Sequence, residues 1–182
     1  MALSKIKSRT GTRAVQGVLA LALITAGAVV PASAAQAIDG CKNEGLTAGS
    51  VDGRELRYDL STRYSKQFYE ARDLWNKEGR IKIAADTATT YTDIDVSDVT
   101  NSAVTWSGRW STSAGADDIK LNFAYLKNYT YPQVRAVIGH ELGHAMRLGH
   151  FDNRGALMHC NDNRSVTGPA TLDKNKYHQV WG

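Results

Sequence analysis

The sequence predicts an α+β domain: a twisted, mixed five-stranded sheet with two long helices and a C-terminal helix. Three observations carry that expectation. Short runs of alternating apolar and polar residues recur between residues 55 and 125, the period of half-buried strands. Between the first two runs, Phe68, Ala71, Leu74 and Trp75 recur at helical spacing. Farther on, a second helical pattern opens at a start signal near Thr130, and a third runs to the C-terminus.

In chain order, ELRYDL at residues 55–60 places Leu56, Tyr58 and Leu60 on one face and reads as the first strand. Ser61 or Thr62 is positioned to cap a helix over residues 64–77, and Gly79 supplies its stop. RIKIAA at 80–85 is the second strand and YTDIDV at 91–96 the third. Strand, helix, strand implies a right-handed crossover with the helix on one face of the sheet. Two more strands are expected at 104–110 and 119–125, joined by the loop-forming STSAGADD. The next helix has a Thr130 cap, Pro132 in its first turn and Gln133 three residues after the cap, with Val134, Val137 and Ile138 as its buried stripe. A loop rich in Asn, Asp, Ser, Gly and Pro follows Met158, and a helix over 172–181 closes the domain.

Residues 1–37 read as a secretory signal peptide. Lys5, Lys7, Arg9 and Arg13 precede an apolar run too short for a membrane span, then small residues with cleavage candidates after Ala34 and Ala37. Residues 38–53 form an N-terminal segment resembling neither domain nor linker, and 54–182 a single domain large enough for a real core. The 22 Lys plus Arg outnumber the 18 Asp plus Glu only because four basic residues and no acidic ones precede residue 38. The basic balance therefore belongs to the targeting signal, and a secreted, extracellular monomer is expected, with no nucleic-acid partner and no stable membrane association. Cys41 and Cys160 are the only cysteines. An oxidising compartment favours their pairing, which would stabilise the fold by about 4–5 kcal/mol in the chain-entropy picture. The other reading has Cys41 capping a metal as a thiolate.

The chemistry concentrates in HELGHAMRLGH, residues 140–150. His140 and His144 are one helical turn apart on one face, and Glu141 follows the first of them. Two neutral imidazoles beside a carboxylate base are what a hydrolytic zinc site requires. His150 comes six residues past His144, beyond Arg147 and next to Gly149, with Met158 farther on. All five histidines fall in the last quarter of the chain.

This constellation resembles the metzincin zinc peptidases, whose motif is H-E-x-x-H-x-x-G-x-x-H followed by a methionine turn. The segment LGHFDNRGALMHC is similar to the matrixin branch, and a chain this short is also similar to the snapalysins. The resemblance implies Zn²⁺ held by His140, His144 and His150, with Glu141 as general base and Met158 as the apolar floor under the metal. Snapalysins carry aspartate as third ligand, so Asp152 stays open as an alternative ligand or as a partner of the ligands. Arg147 stands where the family has a glycine, at a helix end commonly left-handed; Gly149 is expected to take over that turn. Asp93, Asp95, Asp98, Asp117 and Asp118 are candidates for the structural Ca²⁺ of matrixins, although solvated turn residues account for them as well. The thermolysin-like alternative needs a downstream glutamate, and none follows Glu141.

The implied activity is endopeptidase cleavage of a protein or peptide substrate lying extended along an edge strand, for which residues 104–110 are the candidate. Residues 161–170 would wall the neighbouring side-chain pocket. His159 is expected at the surface or beside the ligands, and His178 in solvent. The competing function is a binding protein on the same fold with a degenerate or structural zinc site, which Arg147 would favour. A further option is inhibition in cis by residues 38–53.

Overall fold

The structure, a computed structural model, describes residues 42–182. The expected signal peptide and Cys41 lie outside the described residues. The sheet has five strands in the order β2-β1-β3-β5-β4: β1 Glu55–Ser61, β2 Lys82–Ala85, β3 Ile94–Val99, β4 Gly108–Ser111 and β5 Asp117–Asn122. β2, β1, β3 and β5 run parallel, and β4 closes one edge antiparallel to β5. Helix α1 (Ser65–Asn76) connects β1 to β2, and α3 (Tyr131–Ala145) packs beside α1 and β4. Short α2 (Phe123–Leu126) and C-terminal α4 (Thr171–Trp181) complete the order. No helix among the described residues is long and apolar enough to cross a membrane.

The alternation read in β1 buries Leu56 and Tyr58. In α1 the helical period buries Phe68, Ala71 and Trp75, while Leu74 is half-buried. The helix starts from Tyr64 with no side-chain cap, and Thr62 instead accepts the Tyr64 N–H and reaches Asp98 on β3. Gly79 stands at φ +77° just past the helix end, the left-handed stop the sequence implied. The α3 start is as expected: Thr130 N–H donates to Gln133 Oε1 at 2.9 Å, with proline in the first turn.

Three strand expectations need correction. The third strand is displaced toward the C-terminus, to Ile94–Val99, because Asp93 turns its carboxylate onto Arg57 N–H and Tyr91 is left in solvent. The fourth is short and starts four residues late, and the fifth ends at Asn122, where α2 begins. One buried side chain explains both. Asn122 donates to the carbonyls of Asn101 (2.7 Å) and Trp106 (3.1 Å) and accepts from Asn101 N–H (3.0 Å) and Ala124 N–H (3.2 Å). Backbone groups of residues 101–106 are thereby held in a loop rather than a ladder, and the same amide caps α2.

The core lies between the sheet and the two long helices, and it reaches the site through glycines of α3. A Cβ on Gly139 would sit 3.2 Å from Leu157 Cδ2, and one on Gly143 would collide with the Met158 sulfur. Those bare positions admit Trp75, whose Nε1 donates to Gly139 O at 2.8 Å, and seat Met158 against the helix between His140 and His144. Both glycines lower helix propensity by roughly 1 kcal/mol each; the close approach of Trp75, Leu157 and Met158 is what that cost secures.

Candidate metal centre

His140 and His144 project from the last two turns of α3, and His150 from the loop beyond it. Among the described residues these three form the one group whose ligand atoms, all within 4.8 Å of one another, could hold a metal ion. His144 Nε2 lies 3.0 Å from His140 Nε2 and 3.1 Å from His150 Nε2. A tetrahedral zinc with bonds of about 2.0–2.1 Å sets its nitrogens about 3.3–3.4 Å apart. The spacing therefore suits one small cation among the rings.

Tautomers argue the same way. His140 Nδ1 is 2.9 Å from Leu157 O, and His144 Nδ1 is 2.8 Å from Leu148 O. A carbonyl oxygen only accepts, so both Nδ1 atoms carry the proton. His150 Nδ1 is 2.8 Å from a Glu44 carboxylate oxygen, which likewise accepts. All three Nε2 lone pairs thus converge on one point, an arrangement that repels itself unless a cation sits there. Burial lowers the pKa of each ring: for His144 to about 4, with His150 contributing; for His140 well below the ordinary histidine value, with the Arg164 guanidinium adding to the effect; and for His150 despite the opposing pull of Glu44. Neutral rings at physiological pH are the ligand-competent form.

Glu141 is buried beside the triad. Its Oε2 accepts the Trp110 backbone N–H from β4 at 2.7 Å. Desolvation pushes its carboxyl up to about 7, against the Trp110 N–H and the Arg164 charge. A dication among the neighbouring rings would oppose that rise by Coulombic attraction. β4 approaches this closely because Gly108 is bare: a Cβ there would be 2.6 Å from Val137 Cγ1 and 2.9 Å from Glu141 Oε1. The Trp110 ring lies 6.3 Å from that of His144, so the edge strand forms one wall of the site.

Met158 is fully buried and packs on Gly143. Its backbone is fixed by Asp173 of α4, whose carboxylate accepts the N–H groups of Leu157 (2.8 Å), Met158 (2.9 Å) and Ala170 (2.8 Å). Asp152 is exposed, outside the triad, and its N–H donates to Asn43 Oδ1. His159 is buried, its ring between Phe151 O and Asn163 Oδ1, so it braces the loop after Met158. Half-buried His178 meets Glu78. Beyond Met158, the Arg164 side chain is buried and paired with Asp162, which also accepts from Ser107 and Tyr129 hydroxyls. Of the carboxylates considered for calcium, Asp93 accepts from Arg57 N–H, Asp98 from Thr62 and Arg63, and Asp117 from Ser50 and Ser113. Among the described residues no cluster of them has metal-ligand spacing.

The turn at Arg147 differs from expectation. Arg147 itself adopts φ +71°, and Gly149 is not left-handed. The exposed Arg147 stem lies across Gly49, itself at φ +72°, in the N-terminal segment. Residues 44–50 run along this turn rather than standing apart from the domain. Gly49→Ala combines a collision with Arg147 Cγ, a 3.1 Å approach to Ala145 O and an unfavourable φ. A loss of about 2 kcal/mol is expected, visible as a lowered denaturation midpoint. Sequence patterns did not disclose Glu44, the Trp110 N–H or Asp173 as parts of the site. Only Asp173, an acid in the first turn of a helix, carried a local signal.

The chain matches no protein-family profile and no curated protein sequence. Among solved structures it is similar to archaemetzincin from Methanopyrus kandleri, with TM-score 0.51 and 12 % identity over 71 % of this chain and 97 % of the other. The fold is an archaemetzincin-like zincin fold. At that identity the likeness shows the fold alone, and the chemistry rests on the residues of the site.

Proposed function

We propose that the protein is a secreted zinc-dependent endopeptidase of the metzincin kind, resembling matrixins and snapalysins in its motif. The observation that carries this reading is the convergence of three Nε2 lone pairs beside a buried carboxylate on a zincin fold. The resemblance of the neighbour's fold, and its name, support it.

His140, His144 and His150 would hold the ion, leaving one position open. Bound there, zinc supplies Lewis-acid polarisation of the scissile carbonyl and of the attacking water. Glu141 would take the proton from that water and pass it to the leaving amine. Trp110 N–H fixes Glu141 Oε2. β4, the antiparallel edge, presents its outer side for an extended peptide, so the pairing segment centres on Gly108–Ser111. Residues 161–170 wall the pocket next to the scissile bond. A Cys41–Cys160 bridge belongs to the same reading, tying the N-terminal segment to the loop after Met158.

Casein cleavage by the purified secreted protein tests this. Activity that disappears with a chelator and returns with zinc is expected. A zinc-loaded protein that cleaves nothing would favour the binding-protein alternative.

A further inference from the structure

We propose that the segment ahead of β1 is part of the metal centre, with the Glu44 carboxylate as the positioning residue for His150. The inference rests on the zinc reading above and extends it to a residue outside the histidine motif.

The three rings are not held alike. His140 and His144 stand on a helix whose backbone fixes them, and their Nδ1–H groups go to main-chain carbonyls. His150 lies past the helix end, its side chain is 25 % exposed, and its Nδ1–H goes to an ionisable acceptor, Glu44 Oε2, at 2.8 Å. The ligand least constrained by its own backbone is thus the one given a charged partner.

Glu44 is brought there by a run of main-chain pairing. Glu44 N–H donates to His150 O (2.9 Å), Gly149 N–H to Gly45 O (3.1 Å), Thr47 N–H to Arg147 O (3.2 Å) and Ser50 N–H to Ala145 O (2.7 Å). Leu46 and Leu148 form an antiparallel bridge within the same run. Two side chains anchor it further. Thr47 Oγ1 donates to His144 O at 2.6 Å, and Ser50 Oγ accepts from Trp110 Nε1 (2.9 Å) and donates to Asp117 (2.7 Å). The segment therefore grips the backbone that carries two ligands and the edge strand that holds Glu141.

A carboxylate on Nδ1–H does three things for a metal-ligating imidazole. It selects the tautomer with a free Nε2, holds the ring plane, and adds negative charge to a ligand set that is otherwise neutral. Loss of such a partner typically weakens metal binding about 10–100-fold. The Glu44 side chain is 56 % exposed, so solvent screens its charge and the lower end applies, about tenfold.

The test uses the mature secreted chain and its Glu44→Ala and Glu44→Gln variants. Zinc affinity is read by chelator competition, and ligand geometry by the visible absorption of the cobalt-substituted forms. Glu44→Ala should bind zinc about tenfold more weakly and shift the cobalt bands. Glu44→Gln keeps an acceptor oxygen without the charge and should recover part of the affinity. Wild-type protein that binds zinc, with Glu44→Ala equal to it in affinity and cobalt spectrum, overturns this inference and leaves the zinc reading standing. So does a variant that loses stability without metal but keeps full affinity, since Glu44 would then hold only the segment. Wild-type protein that binds no metal overturns the zinc reading, and this inference with it.

Discussion

Glu141→Gln is expected to keep its zinc and lose between about a hundredfold and ten-thousandfold of its peptide-bond turnover. The substitution preserves shape, and the amide oxygen can still accept the Trp110 N–H that Glu141 Oε2 accepts at 2.7 Å. The three rings, each tied through Nδ1 to its own acceptor, have no reason to move. What disappears is a group able to take a proton from water and return it to an amine. His144→Ala is the contrasting case, since its Nε2 lies about equally close to both other ring nitrogens. It should lose zinc and activity together. Steady-state cleavage of a casein-derived peptide, with zinc content measured on the same samples, separates the two. A Glu141→Gln enzyme within tenfold of wild type would remove Glu141 from the chemistry.

Asp173→Ala is expected to cost about 3–5 kcal/mol of stability, a large share of the roughly 5–15 kcal/mol available to a domain of this size. Asp173 is fully buried and accepts three backbone N–H groups, two of them from Leu157 and Met158. Alanine leaves those donors buried without an acceptor. The damage lies directly under the triad, because Leu157 O also receives the His140 Nδ1–H and Met158 packs on Gly143. A fall of roughly 10 °C in the unfolding midpoint should follow, with weaker zinc binding in the protein that remains folded. Asp173→Asn retains one acceptor oxygen and should recover only part of the loss. An Asp173→Ala protein as stable as wild type would show that α4 does not brace the Leu157–Met158 backbone.

Local chemistry was legible in the sequence, and contacts between distant segments were not. The α3 start could be read because Thr130, Pro132 and Gln133 act on one another within a single turn. The His140–His144 pair could be read because helical geometry alone brings the rings together. β1 and α1 followed from their periods. Asn122 shows where this stops. Its sequence context continues the alternation of IKLNFAY, yet its amide binds backbone groups some twenty residues earlier and ends both neighbouring strands. Arg147 is a second instance. Left-handed conformation disfavours arginine locally, and the expected relief at Gly149 ignored Gly49, whose missing side chain makes room for the Arg147 stem. Glu44 is a third, since no period or spacing links residues 44–50 to a turn about a hundred residues away.

X-ray absorption at the zinc edge of the purified protein examines the proposed metal centre most directly. Three imidazole nitrogens at about 2.0–2.1 Å plus one light atom, with no sulfur and one zinc per chain, is the expected spectrum. A protein that carries no zinc, or whose zinc shows a sulfur ligand or fewer than three imidazoles, would contradict the account.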